Sequence, residues 1–167
     1  KMKIKYLVEI EDPKTHIVKV KMDLKKTDNE MTFFLPSWSP GSYLMREYAK
    51  NIRKIQLHAS NGEALFFKQV SKNEWTVDFT KSELKAQCSD FSISYEIYCH
   101  ELTVRTSHVD SSHAFLHGAS YLMGLDSISI EPEIGFRFPA LWSKLHTGLV
   151  DISKERSSFL YSAKDYD

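Results

Sequence analysis

The chain has 167 residues, enough for one domain with a sizeable core. Basic and acidic residues balance at 22 each, so the formal net charge is zero. That balance argues against nucleic acid or an anionic membrane as a main partner, since both select a basic surface.

Hydrophobic residues at 42% and charged residues at 26% are ordinary for a globular protein. The aromatic share of 13% leans toward β structure, because these rings fit pleated, half-buried surfaces. No apolar run is long enough to span a bilayer. The opening stretch, Lys1 to Ile10, alternates and does not form the apolar block of a signal peptide. Cys88 and Cys99 are too few for a disulfide framework. Two free thiols fit a reducing compartment, so a cytoplasmic location is expected.

Ile4, Tyr6, Val8 and Ile10 share one face of a first strand, with Lys3, Lys5 and Glu9 on the other. Asp12-Pro13 marks a turn. Val18, Val20, Met22 and Leu24 define a second strand, and residues 32–35 a third. Pro36 to Gly41 brackets Trp38 with prolines and glycine, which disfavours regular structure. Ser42 is placed to cap one or two helical turns over Tyr43 to Lys50. Strand signals resume at Ile55, Leu57 and Ala59, and Asn61-Gly62 predicts a tight hairpin with Ala64 to Val70 returning. Trp75, Val77 and Phe79 alternate, as do Phe91, Ile93, Tyr95, Ile97 and Cys99. From Thr103 to Met123 the order is lost in a His-, Ser- and Gly-rich stretch. Strand character returns at Ile128 and Ile130, before Pro132. There is no internal repeat. The expected fold is mostly β: an antiparallel β-sandwich or saddle-like sheet with one short helix.

Several chemistries can be tested on the residues. His100-Glu101 begins an H-E-x-x-H zinc pattern, but the register ends in Val104 and follows a strand, so no second ligand is supplied. His108, Asp110, His113 and His117 lie within ten residues. On a helix His113 and His117 would align, and on a strand His108 and Asp110 would share a face. No single element presents all four, so no metal is expected here. They are expected to be loop residues making local hydrogen bonds or offered to another domain's cleft. There is no G-x-S-x-G elbow, no glycine-rich phosphate loop and no carboxylate pair at glycosidase spacing. Trp38, Tyr43 and Arg46 form an aromatic-plus-arginine group suited to an interface.

Two segments carry a resemblance. Leu35-Pro36-Ser37-Trp38-Ser39-Pro40-Gly41-Ser42-Tyr43, with Arg46, Ala49 and Asn51-Ile52, is similar to an L-P-x-W-x-P-G-S-Y-x-x-R-x-x-A-x-N-I segment. Tyr95-Glu96-Ile97-Tyr98 and Leu102-Thr103-Val104-Arg105, then His108, Asp110, His113 and Phe115, are similar to a second segment of the same family. The family is the glycyl-aminopeptidases, PDZ-containing zinc metallopeptidases with a thermolysin-like catalytic domain. The sequence departs from it where His117 replaces Asn and Ala119 replaces Thr.

The resemblance implies that residues 1–167 are a single N-terminal β domain. A catalytic zinc domain and a PDZ module are then expected downstream. The chain would hold no catalytic residue and no cofactor of its own, with zinc in the parent's catalytic domain. Its expected partners are that catalytic domain and the N-terminus of a peptide substrate. The residues expected at the cleft or domain interface are Trp38, Tyr43, Arg46, Arg105, His108, Asp110, His113 and His117, with Arg105 and Asp110 able to pair internally. The alternatives are a stand-alone module binding protein or carbohydrate, and a small metal-dependent hydrolase using the histidine cluster.

Overall fold

The computed structural model describes residues 1–39, 43–81, 89–101, 106–154 and 159–166. Among them the chain forms thirteen strands and three short 3-10 turns. The strands are β1 (Met2–Glu9), β2 (Ile17–Lys25), β3 (Glu30–Phe34), β4 (Ile52–Ala59), β5 (Phe67–Ser71), β6 (Glu74–Asp78) and β7 (Asp90–Tyr98). They continue with β8 (His108–Val109), β9 (Ala114–Phe115), β10 (Gly124–Leu125), β11 (Ile130–Arg137), β12 (Val150–Asp151) and β13 (Phe159–Ser162).

Period-two alternation sets the long strands. Ile4, Tyr6 and Val8 of β1 are buried, as are Val18, Val20, Met22 and Leu24 of β2, while Lys21 and Asp23 stay in water. In β7 the same rule buries Phe91, Ile93, Tyr95 and Ile97. Asp12 accepts a hydrogen bond from the Lys14 amide at 3.0 Å, Pro13 opens a 3-10 turn over Pro13–Thr15, and His16 closes it at φ 59°.

A seven-stranded sheet runs β12-β13-β11-β1-β2-β7-β4, and a four-stranded sheet runs β10-β3-β6-β5. All strand pairs are antiparallel except β1 with β11, which are parallel from Met2↔Ile130 to Glu9↔Arg137. One hydrophobic cluster joins the two sheets. Phe33 of β3 meets Phe91 of β7 edge to face, with centroids 6.0 Å apart.

Three expectations need correction. The helix over Tyr43 to Lys50 is a single 3-10 turn, Tyr48–Asn51, preceded by Glu47, which makes no side-chain cap. Ser42, expected as the cap, lies outside the described residues. The Asn61-Gly62 turn forms, with Gly62 at φ 89°, a left-handed value that favours glycine. The returning chain keeps only a His58↔Ala64 bridge and a Leu65-to-Leu57 backbone bond before β5 joins β6 in the other sheet. Alternation carries on, with Leu65 buried and Phe66 and Val70 facing water, but the chain leaves the edge of β4 after Leu65. Finally, Pro132 does not end its strand but lies inside β11. Its carbonyl accepts from the Ala163 amide, so its missing N–H faces the point where the β13 ladder stops.

The core also contains ionisable groups held neutral. Burial pushes the hydroxyl pKa of Tyr6, Tyr95 and Tyr121 upward and the Cys99 thiol up to about 12. Above their ordinary range, near pH 9–10, an unfolded chain releases protons that the folded chain retains. Stability is therefore expected to fall as pH rises beyond about 9–10. Urea midpoints measured from pH 8 to 11.5 check this, and a midpoint that does not decline would contradict it.

Candidate functional site

The two loops that stand out in the sequence meet at one end of the fold. The first, between β3 and β4, is closed by the Arg46 amide donating to the Ser37 carbonyl at 2.6 Å. It holds Trp38 and Tyr43 exposed. Tyr48, next along, is buried, and its ring lies 6.0 Å from that of His117 in the second loop. Arg46 is half-buried, and its Nε is buried without a hydrogen-bond partner among the described residues.

The second loop is fixed by hydrogen bonds that no motif signals. The His117 amide donates to the Ser107 hydroxyl at 2.9 Å, and the Ser120 hydroxyl donates to the His117 carbonyl at 2.8 Å. The two hydroxyls are 2.6 Å apart, which makes Ser107 the donor to Ser120 and closes a ring of three bonds. Both serines are buried, so this ring satisfies their polar atoms while pinning the backbone of His117. Burial lowers the pKa of His117, so its imidazole is neutral near pH 7.

His108, Asp110 and His113 come together because β8 and β9 form a hairpin around a four-residue turn, Asp110–His113. One carboxylate oxygen, Oδ1 of Asp110, accepts from the Ser112 amide at 2.7 Å, the Ser112 hydroxyl at 2.6 Å and the His113 amide at 3.0 Å. The other, Oδ2, accepts from His108 Nε2 at 3.1 Å. The Ser112 hydroxyl bond is the largest cause holding this carboxyl far below its usual range, with the Ser112 amide and His108 adding to it. His113 Nδ1 lies 3.4 Å from Oδ1. The hairpin is seated at the end of β7, where the Val109 amide donates to the Cys99 carbonyl and His16 Nδ1 donates to the Val109 carbonyl.

A row of imidazoles leads away from this cluster. His108 stacks on His100 with centroids 6.5 Å apart, and His100 lies 4.2 Å from His16. On the other side, Ser112, His113 and Phe115 open onto a groove of about 710 Å³ walled by Phe138, Trp142 and Leu145.

Among the sites read from the sequence, His108, Asp110 and His113 form one cluster. His117 belongs with Tyr48 beside the first loop. His113 and His117 do not share a helix: His113 sits in the hairpin turn and His117 precedes the 3-10 turn Gly118–Ser120. Arg105, and with it the proposed pairing to Asp110, lies outside the described residues. So does Cys88, while Cys99 is a free, buried thiol. Ser107, Ser120, Tyr48, His16 and His100 are missing from the sequence-based site. Tyr48 and His16 meet partners far along the chain, while Ser107, Ser120 and His100 have nearby partners at spacings that match no regular element.

The match to protein-family models covers residues 5–167. The chain belongs to the Peptidase M61 N-terminal domain family. Among solved structures it is similar to an aminopeptidase N family protein from Idiomarina loihiensis, with 28% identity and a TM-score of 0.86 over 98% of this chain. The match spans 27% of the length of that protein. The M1 zinc metallopeptidase of Deinococcus radiodurans aligns at 11% identity and a TM-score of 0.46, over 96% of this chain and 37% of that one. Comparison with the curated proteins finds no match. The M61 domain thus has a fold shared with part of a longer peptidase-like chain. Of the zinc-binding H-E-x-x-H pattern, this sequence supplies only His100-Glu101, on the strand end after β7.

Proposed function

We propose that this M61 domain packs over a zinc aminopeptidase catalytic domain and forms one wall of its substrate cleft. The observation that carries the reading is the convergence of the two unusual loops through Tyr48 and His117. Beside this buried contact, Trp38 and Tyr43 face water, where they do no packing work for the sheets. A wall built this way can hold the free amine of a peptide and exclude longer chains. Burial lowers the His117 pKa, and a neutral imidazole beside the cleft would not repel an ammonium group as a charged one would. Trp38, Tyr43 and Arg46 are the interface anchors in this reading, and His108, Asp110, His113 and His117 line the cleft. The parent is then a glycyl-aminopeptidase-like, cytoplasmic enzyme. Its zinc is held by a separate thermolysin-like domain, and a PDZ module follows.

Translating the gene beyond the codon for Asp167 tests this organisation. An open frame containing H-E-x-x-H is the expected result. A stop codon at that point would sink the proposal and favour a stand-alone binding module.

A further inference from the structure

We propose that His108, Asp110 and His113 form a binding site for a single divalent transition-metal ion of the zinc type, on this domain and separate from any catalytic zinc. Imidazole and carboxylate are the donor set that such ions accept. His108, Asp110 and His113 each offer one donor atom, and these lie within 4.8 Å of one another. The contacts from Asp110 to the two rings are 3.1 and 3.4 Å. Neighbouring donors on a tetrahedral ion with bonds of about 2.0–2.1 Å stand about 3.3 Å apart. The two contacts use different oxygens, Oδ2 toward His108 and Oδ1 toward His113, so binding requires the exposed His113 ring to leave the Ser112 hydroxyl, 2.8 Å from its Nδ1, and swing inward.

The carboxylate is also prepared for the role. Three donors from the turn hold Oδ1, which fixes the plane of the group and leaves Oδ2 facing His108. That is the arrangement by which outer hydrogen bonds orient a ligating carboxylate. The His108 side chain is only 9% exposed, which sets one ligand in a fixed position, while His113 at 58% lies at the mouth. The adjoining groove gives an ion a path from solvent and leaves room for water to complete its shell.

One feature limits the affinity. His108 Nδ1 is buried with no hydrogen-bond partner among the described residues. An ion on Nε2 requires the proton on Nδ1, where nothing receives it. A missing outer partner of this kind costs about 10–100-fold in affinity. The expected dissociation constant is therefore micromolar, not nanomolar.

The site shares residues with the cleft wall, but its test reads metal binding, which the peptidase reading does not require. The test is titration of the chelator-treated chain with Co²⁺ and Zn²⁺, followed by visible absorption and calorimetry. One ion per chain is expected, with Co²⁺ bands in the visible region. His113→Gln, at an exposed position that leaves the fold intact, should weaken binding at least tenfold, and Asp110→Asn should do the same. His58→Gln, on β4 and outside both the cluster and the groove, should change nothing. Absence of binding below millimolar metal, or binding that survives His113→Gln and Asp110→Asn unchanged, would overturn the proposal.

Discussion

Replacing Phe33 by alanine is expected to lower the free energy of unfolding by about 3–5 kcal/mol. Phe33 is 1% exposed and belongs to β3 in the four-stranded sheet, yet its ring meets Phe91 of the seven-stranded sheet. Phe91 in turn meets Phe79 at 5.0 Å, so the three rings join the two sheets. Truncation removes the contact and leaves a cavity that strands on both sides cannot collapse to fill. In a chain of this size the loss corresponds to a fall in melting temperature of roughly 6–20 °C. Equilibrium urea unfolding measures it directly. Phe115→Ala, at a position 47% exposed, serves as the control and should stay within about 0.5 kcal/mol of the parent. A loss for Phe33→Ala below about 1 kcal/mol would mean that the sheets do not share this core.

The second large effect lies in a pair of tyrosine hydroxyls. Tyr95 donates to the Tyr121 carbonyl at 2.7 Å and accepts from the Met123 amide at 3.0 Å. Tyr6 donates to the Met123 carbonyl at 2.6 Å. Both rings rise from the seven-stranded sheet and hold the backbone of residues 121–123, which leads into β10 of the other sheet. Tyr95→Phe keeps the ring and strands a buried amide and carbonyl, at a cost of about 1–3 kcal/mol. Tyr6→Phe strands the Met123 carbonyl and should cost a similar amount. Because both act on one segment, the double variant should depart from the sum of the singles by at least about 0.5 kcal/mol. A double-mutant cycle in urea reads this. Strict additivity would mean that residues 121–123 are held by something other than this network.

The strands were readable where alternation is long. Every residue placed on the inner face of β1, β2 and β7 is buried, because a half-buried strand writes its orientation into neighbouring positions. Sequence says less where pairing is non-local. Nothing near Met2 indicates that β1 lies parallel to β11, 128 residues on by the Met2↔Ile130 register. Pro132 reads as a strand end because its tolerance depends on where β13 stops, which is a property of the sheet. The helix expected over Tyr43 to Lys50 is reduced to the 3-10 turn Tyr48–Asn51, with Tyr48 buried beside His117.

At the site, the sequence marks His108, Asp110, His113 and His117 as one group, and the structure sets His117 apart beside Tyr48. His108, Asp110 and His113 are brought together by a hairpin turn that Asp110 itself builds by accepting backbone amides. That geometry belongs to neither a strand nor a helix, so periodicity has no template for it. The serine ring around His117 is local in sequence but irregular in spacing, and the imidazole row joins His100 to His16 from a distant segment, so neither follows a periodic pattern.

The cleft-wall proposal makes its sharpest demand on His117, which stands where the resembling family has asparagine. Steady-state kinetics of the complete protein on a series of aminoacyl-anilides, comparing the parent with His117→Asn, tests it most directly. Relative kcat/KM across different N-terminal residues should shift by roughly tenfold, the scale of one changed pocket contact, with zinc content and melting temperature unchanged. Identical relative kcat/KM across the series would contradict a cleft-lining role for this domain.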